Sequence, residues 1–469
     1  MYRLYIVLLI PVFVALIYSV KRWILLKPVS NEYIVVLFFV LCLPFGYGFS
    51  FWDTNGMDRL AGPLGLSFKF GYIQVSLLSA IILSKSWKLK IGNSFFSHKR
   101  ILLLLLLLFV SIVNPKNQCY QTSLIGVYSL FSIFLFLFIV NNSFNFRNVG
   151  KAFWDGIVFV SLLQFVLSLC FPVLDIYFVT RVFHDNVGRV DMVQELAHRV
   201  GAVGTFDHPG KLGLYMSVNT LVFFSFFLLG IRRSFSGFML VVSLVVVLLT
   251  VSRTSVLFVL VAIFLLYFIN RFPRLNFLSP FLLMGSLTVI VGLTVVVFYI
   301  VPLDQFVIDA NVLQMVDARL AHFRMGIEIF KNSPLIGVGV NSHLAYAREF
   351  ISEEVIGAGL SEDFAFSNPI HNIHLIVLVE LGLLGLILWG RFVFFEFRVF
   401  RENFLIIEER YAKALNLAGI GVLFIFITYG MTGWSPFTEA FLAYGFFIFS
   451  FIGHLNNNYA QNGSRVIAN

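Results

Sequence analysis

The sequence is poor in charged residues. Asp, Glu, Lys and Arg make up only 12% of the 469 residues, against about 25% in a typical soluble protein, whereas 59% of the residues are hydrophobic. So little charge excludes an ordinary water-soluble globular protein. Apolar runs long enough to cross a bilayer core of about 30 Å recur along almost the whole length. We therefore predict that residues 1–469 form a single integral membrane domain.

Cysteine is also scarce, and the common cofactor motifs are missing. Cys42 and Cys170 lie in apolar runs and Cys119 lies in a short loop, which indicates no disulfide framework. The sequence contains no Cys-x-x-Cys pair, no Gly-x-x-x-x-Gly-Lys-Ser/Thr phosphate loop and no His-Glu-x-x-His motif. We therefore predict no cofactor and no metal site. Scattered acidic residues that could bind a divalent ion are interpreted as solvated: Asp185, Asp191, Glu353, Glu354, Glu362 and Asp363.

The formal net charge of +9 does not indicate a nucleic-acid partner. The basic residues lie in short loops between apolar runs rather than on one soluble face, as membrane topology requires. The apolar runs predict an all-α, polytopic protein of about 12–13 transmembrane helices. The predicted spans lie near residues 4–20, 32–50, 70–83, 101–113, 124–140, 152–172, 212–230, 236–252, 255–270, 278–301, 372–390, 414–431 and 439–454.

Basic residues set the predicted orientation. Lys and Arg concentrate in alternate loops, among them residues 391–413, and we assign these loops to the cytoplasmic side. The loops 173–211 and 302–371 and the N-terminus are then external. The loop 302–371 carries apolar residues at helical spacing, which predicts short amphipathic helices on the membrane surface.

One motif stands where the larger external loop enters a span. His371-Asn372 is followed by nine residues and then by Gly382-Leu383-Leu384-Gly385, with Glu380 just before the first glycine. Two glycines on one helix face would let a neighbouring helix approach closely. We therefore predict that Gly382 and Gly385 mark a helix contact.

This motif resembles one that O-antigen ligases and polymerases carry at the exit of their large periplasmic loop. Three further stretches are similar to the same family: residues 204–209 (Gly-Thr-Phe-Asp-His-Pro), 252–254 (Ser-Arg-Thr) and 334–339 (Pro-Leu-Ile-Gly-Val-Gly). The resemblance covers about residues 195–450. Two positions depart from it, because Gly210 stands where the family usually has Asn, and Leu386 follows the final glycine where some ligases have Gly, Thr or Tyr.

The resemblance implies an inverting glycosyltransferase at the periplasmic face of the bacterial inner membrane. Its donor would be an undecaprenyl-diphosphate-linked glycan, with His371 as the base for the acceptor hydroxyl. Arginines suit a diphosphate because they form paired, charge-assisted hydrogen bonds. The candidate substrate-binding residues are Arg199, Arg253, Arg319, Arg324 and His208, and the candidate supporting residues are Asn372, Glu380, Gly382 and Gly385.

Most of these residues could instead have a purely structural role, with no part in substrate binding or catalysis. His371 could simply start a helix, and Arg253 could extend towards the membrane surface. Arg319 and Arg324 would face different sides of a helix, so that only one would meet the substrate, with Arg319 favoured. His208 could bond its own turn. Glu380 could be catalytic or could orient an arginine, and the spacing of Arg348 and Gly359 carries no weight alone.

Three functions remain open at this point. A polymerase of O-antigen or exopolysaccharide repeat units is favoured over a ligase to lipid A-core, because of Leu386 and the long external loop. A transporter or flippase for lipid-linked glycans is the more distant alternative. The expected partners are the undecaprenyl-diphosphate glycan, membrane lipids and a chain-length regulator or flippase of the same pathway, but no nucleic acid.

Overall fold

The computed structural model describes residues 30–45, 48–53, 67–83, 109–114, 120–170, 201–206, 208–273, 310–350 and 369–467. The predicted spans 4–20 and 278–301, and most of 101–113, lie outside these residues. The predicted number of about 12–13 transmembrane helices therefore stays a prediction.

Twelve α-helices are present in the described part of the chain. They are α1 (Asn31–Cys42), α2 (Tyr72–Leu83), α3 (Tyr120–Ser143), α4 (Phe146–Cys170), α5 (Pro209–Leu228), α6 (Arg233–Leu249), α7 (Arg253–Arg271), α8 (Ala310–Asn332), α9 (His343–Phe350), α10 (Ile373–Ile406), α11 (Arg410–Gly430) and α12 (Glu439–Ile467). Six of them are long and apolar enough to cross a membrane: α3, α4, α5, α7, α10 and α11. The predicted all-α, polytopic class is confirmed.

A short hairpin between α1 and α2 was not predicted. The strands β1 (Gly48–Asp53) and β2 (Ser67–Gly71) pair antiparallel, with Gly48 opposite Gly71. The predicted span 32–50 ends earlier than expected, because α1 stops at Cys42 and the chain continues as a 3-10 turn, Leu43–Phe45. Pro44 in that turn has no amide hydrogen to continue the helix.

The core is built around α5 and α11, which are buried along most of their length. Large apolar side chains on the outer faces of α6 and α7, such as Phe238, Leu260 and Phe264, remain exposed, as expected for helices that face lipid. Buried polar side chains pair across the helices: Asn219 of α5 donates to Ser161 of α4 over 3.0 Å, and it also accepts from Tyr444 of α12.

The two ends of this bundle differ in composition. At one end α5, α7 and α10 begin and α11 ends, since Tyr429 donates to the Gly210 carbonyl over 2.9 Å and Asn372 contacts the Met431 carbonyl. The opposite end carries basic residues that the sequence had assigned to one side of the membrane: Arg147, Lys151, Arg232, Arg233, Arg271 and Arg410. Helix α10 reaches beyond the predicted end at residue 390 into this basic region.

Candidate functional site

His371 lies at the start of α10, immediately before the residue that caps this helix. The Asn372 side-chain oxygen accepts from the backbone amides of His374 and Leu375, at 2.9 and 3.0 Å. Such an N-cap fixes the first turn of a helix. Asn372 thus determines where the helix begins, and this places His371 at the end of the bundle where α5 and α7 also begin.

A second histidine, His322 of α8, contacts His371. Their Nδ1 atoms are 3.2 Å apart, and the two ring planes differ by only 14°. His322 is almost completely buried, at 2% exposure, whereas His371 is partly exposed. Only the His371 ring can therefore be reached from outside. Sequence analysis did not single out His322, although its position three residues after Arg319 puts both on one helix face.

The surroundings of His371 disfavour its charged form. Burial lowers the pKa of His371 to about 3, and electrostatic interactions with His322, Arg319 and His208 add to the effect, while a hydrogen bond to the Pro369 carbonyl opposes it. The ring is consequently neutral at neutral pH and can accept a proton. The ordinary histidine pKa of about 6.5, assumed from the sequence, does not apply in this site.

The structure brings Arg319 close to this histidine but not Arg324. Both lie on α8, and Arg319 is one of the charges that act on His371. The Arg319 side chain is exposed overall, yet partial burial lowers its pKa, and the neighbouring Tyr429 opposes this shift. An arginine with a lowered pKa still keeps its charge. Arg324 is exposed and is not among the groups that act on His371.

His208 bonds its own turn, which is the structural role considered from the sequence, and it also lies close to His371. It caps α5, because its Nδ1 accepts from the Gly210 amide over 2.9 Å, and its ring is one of the groups that lower the pKa of His371. A Cβ on Gly210 would lie 2.7 Å from the Tyr429 hydroxyl and 3.0 Å from the His208 ring. This crowding explains why a glycine occupies the position.

Arg253 is the first residue of α7, at the same end of the bundle. Ser252 caps this helix by accepting from the Ser255 amide, and the hydroxyls of both serines lie beside Tyr429. Arg253 is exposed and does not act directly on His371. Arg199 and the side chain of Arg348 lie outside the described residues.

The first turns of α5, α7 and α10 therefore converge near Tyr429 and His371. The N-terminus of a helix carries a partial positive charge that favours anions. Together with Arg319 and Arg253, the three helix starts make this end of the bundle suitable for binding a negatively charged group such as a diphosphate.

The two glycines of the motif do not form the predicted contact with a neighbouring helix. Gly382 has a φ of +66° and interrupts α10. At this break the backbone of residues 334–339, here called the inserted loop, joins the helix. The Val338 and Gly339 amides donate to the Val379 and Glu380 carbonyls, and the Leu383 and Leu384 amides donate to the Pro334 and Leu335 carbonyls, over 2.8–3.2 Å.

The inserted loop explains why glycines are needed. A Cβ on Gly382 would overlap the Leu335 carbonyl, and a Cβ on Gly337 would overlap the Glu380 carbonyl. A Cβ on Gly385 would instead overlap Leu381 of the same helix. The prediction was wrong about the partner because spacing along a helix does not reveal that a loop can pair with its backbone.

Glu380 pairs with a histidine, whereas the sequence had suggested an arginine as its partner. Its carboxyl group lies 2.7 Å from Nδ1 of His343, and both side chains are buried. Nε2 of the same ring accepts from the Ile370 amide at 3.4 Å, so Nδ1 carries the hydrogen that is donated to Glu380. Glu380 and His343 thus hold the backbone next to His371.

Residues far from the motif hold the inserted loop and the two residues that follow it. Asn114 donates to the Gly337 carbonyl over 2.6 Å, and Ser123 donates to the Val340 carbonyl over 2.8 Å. Asn341, with a φ of +60°, donates to the Thr122 carbonyl over 3.1 Å. The N-terminal part of the chain, which resembles the family only in being apolar, therefore supports the site.

These features define a polytopic helical membrane protein with an accessible, neutral histidine beside arginine at one end. Residues 238–390 match the sequence profile of the family described as O-Antigen ligase, from α6 through His322, the inserted loop and His371 into α10. The match confirms the resemblance to the O-antigen ligase and polymerase family over this part of the chain. The comparison with curated proteins gave no match.

Proposed function

We propose that the protein transfers a glycan from an undecaprenyl-diphosphate carrier to an acceptor sugar hydroxyl, at the periplasmic face of the bacterial inner membrane. The favoured reaction is the polymerisation of O-antigen or exopolysaccharide repeat units. The observation that carries this proposal is the neutral His371 beside Arg319, at the end of the bundle where three helices begin.

The proposed chemistry is a single displacement. His371 takes the proton of the acceptor hydroxyl as its oxygen forms a bond to the anomeric carbon of the donor sugar. The bond between that carbon and the diphosphate oxygen breaks, and the electron pair leaves with the polyprenyl diphosphate. Attack from the face opposite the leaving group inverts the anomeric configuration.

The charges suit this reaction because the leaving group is already an anion. Arg319 lies beside His371, and its guanidinium group can hold diphosphate oxygens with paired hydrogen bonds. Arg253 and His208 stand at the starts of α7 and α5. A bound diphosphate would also offset the positive charges that lower the pKa of His371, and so it would make the histidine a stronger base when the donor is present.

The basic residues at the opposite end of the bundle support the proposed orientation. Cytoplasmic loops of membrane proteins are enriched in Lys and Arg, and Arg232, Arg233 and Arg410 lie at the end remote from His371. This arrangement is the expected one if His371 faces the periplasm. In intact cells, an impermeant reagent should label a single cysteine that replaces the exposed Phe323, but not one that replaces Arg401. Labelling at Arg401 and not at Phe323 would overturn the proposed orientation.

The second candidate is a ligase that moves a finished glycan to lipid A-core, and the description of the matching family favours it. Leu386 after the final glycine favours the polymerase. The two reactions share donor, base and leaving group and differ in the acceptor, so that they can be separated by supplying each acceptor alone.

Purified protein in lipid vesicles, supplied with polyprenyl-diphosphate-linked repeat units and a chelator, is the deciding experiment. We expect a ladder of longer lipid-linked glycans without nucleotide sugar or added metal. Transfer only to added lipid A-core would indicate the ligase. Movement of the donor across the bilayer with no new glycosidic bond would overturn the proposal in favour of a transporter.

A further inference from the structure

The geometry of the two histidines indicates a hydrogen bond in the plane of both rings. The ring centres are 5.3 Å apart and the Nδ1 atoms 3.2 Å. The distance between the ring centres exceeds the Nδ1–Nδ1 distance by nearly the sum of the two distances from a ring centre to its own nitrogen. The two ring planes are also almost parallel. The rings therefore meet edge to edge, with each Nδ1 directed at the other, and are not stacked face to face.

Such a contact needs exactly one hydrogen between the two nitrogens, since two neutral acceptors repel and two donors clash. Nδ1 of His371 faces buried His322, so the ring nitrogen of His371 that points away from this contact is Nε2. A neutral imidazole can accept a proton at Nε2 only when its hydrogen is on Nδ1.

We propose that His322 is a positioning residue that accepts a hydrogen bond from Nδ1 of His371 and so leaves Nε2 of His371 free as the base. This inference rests on the proposed function of His371. His322 does not touch the substrate, and it acts by selecting one tautomer and one ring orientation. A carboxylate has the same task in many hydrolases.

The choice of an imidazole in place of a carboxylate follows from the substrate. In the part of the chain that the structure describes, the groups that face His371 are His322 and Arg319 of α8, His208 at the start of α5 and the Pro369 carbonyl, with Tyr429 of α11 beside Arg319. None of these groups is a carboxylate. An aspartate at position 322 would also orient the ring, but its negative charge would repel a diphosphate that binds within a few ångströms. An imidazole orients the base without this repulsion.

Three substitutions at one position separate these effects. His322→Leu removes the acceptor, and we expect the kcat of transfer to fall by about 10- to 100-fold, with the KM for the donor changed by less than about twofold. His322→Asn retains an oxygen near the Nδ1 position and should recover most of the kcat. His322→Asp should recover kcat but raise the KM for the lipid-linked donor, most strongly at low salt.

A matched control is available on the same helix. Glu328 of α8 is exposed and pairs with Lys331 over 2.6 Å at the surface. Glu328→Gln should leave both kcat and KM within about twofold of the wild type, because exposed ion pairs contribute little. A general disturbance of α8 would affect this variant as well.

The tautomer itself can be measured without activity. In protein labelled with [15N]histidine, the His371 signals, assigned by their loss in His371→Asn, should show a protonated Nδ1 and an unprotonated Nε2. In His322→Leu the two nitrogens should move towards averaged values. An unchanged His371 spectrum in the Leu variant, or a wild-type kcat, would overturn the inference.

Two further outcomes are decisive. If the Leu variant does not reach the membrane, the Asn and Asp variants carry the test, and equal KM values for these two would contradict the inference. If His371→Ala transfers glycan at the wild-type rate, the proposed function of His371 is wrong whatever the His322 variants do, so that the two failures remain distinguishable.

Discussion

Two histidine clusters flank the same stretch of backbone, and they differ in what surrounds them. His371 and His322 form a pair with arginine nearby, and one ring can be reached from outside. His343 and Glu380 form a buried pair, and the second nitrogen of His343 meets the Ile370 amide. In the proposed mechanism the first cluster supplies a ring nitrogen for chemistry, whereas both nitrogens of His343 are used to hold the chain. Residue type alone does not distinguish the two histidines, but their accessibility and hydrogen-bond partners do.

The largest expected effect belongs to the first cluster. His371→Ala should be expressed normally and should bind the donor nearly as well as the wild type, but its turnover should fall by about 10²- to 10⁴-fold, the usual contribution of a positioned general base. Single-turnover assays with lipid-linked donor would measure the loss. Long polymer made at a near wild-type rate would mean that the histidine only starts α10, and the contrast between the clusters would disappear.

The second prediction tests the backbone pairing between the inserted loop and α10. Gly382→Ala places a Cβ against the Leu335 carbonyl at a φ of +66° and a ψ of −166°, a backbone conformation that is essentially restricted to glycine. We expect a loss of about 2–4 kcal/mol in stability, or no folded protein. Thermal unfolding in detergent would measure it. Gly390→Ala, in the same helix with nothing within 4 Å of the added Cβ, is the control and should change stability by less than about 1 kcal/mol.

The third effect tests the supporting role of the second cluster. Glu380→Ala leaves the buried Nδ1–H of His343 without its acceptor, which should cost about 1–3 kcal/mol of stability. Glu380→Gln retains an acceptor oxygen and should lose less. Turnover per folded molecule should stay within a few-fold of the wild type in both variants. A turnover as low as that of His371→Ala, with unchanged stability, would instead make Glu380 part of the chemistry.

The smallest effect concerns pH. Because burial and nearby positive charges lower the pKa of His371 to about 3, the free enzyme should have a deprotonated base throughout pH 5–8, and kcat/KM should not fall between pH 7 and 5. Bound diphosphate should raise the pKa of His371 in the complex, so that kcat should begin to fall at a higher pH than kcat/KM does. Initial rates over this range test both statements. A kcat/KM that halves near pH 6.5 would show an unperturbed histidine.

The sequence predicted the local features of the molecule well. Each predicted span within the described residues overlaps a helix, although α1 covers only the first part of the span 32–50, since runs of apolar residues are local signals. His371 and its capping neighbour Asn372 were identified in the same way, from a motif that lies within one short segment, residues 371–385. The extension of α10 to Ile406 was missed, because charged residues beyond the membrane can continue a helix that apolar content alone does not reveal.

The features that were missed depend on contacts between distant residues. His322 is 49 residues from His371, and Asn114 bonds to a carbonyl 223 positions later. No periodicity within one segment reports such a pairing. The partner of Glu380 was assigned wrongly for the same reason: the need for a partner follows from burial, but its identity follows from which loop folds back onto α10.

The inserted loop has a consequence for how this part of the protein can vary. The four hydrogen bonds that join it to α10 are made by main-chain atoms alone, so they specify a shape without specifying side chains. Leu335, which is 68% exposed, can be replaced by any residue that keeps the backbone path. A residue inserted next to Gly337 cannot be absorbed in the same way. It would shift the Val338 and Gly339 donors relative to the Pro334 and Leu335 acceptors, so that the four hydrogen bonds could no longer form together. At this junction the chain tolerates substitution outside the glycines but resists insertion, whereas surface loops usually accept insertions.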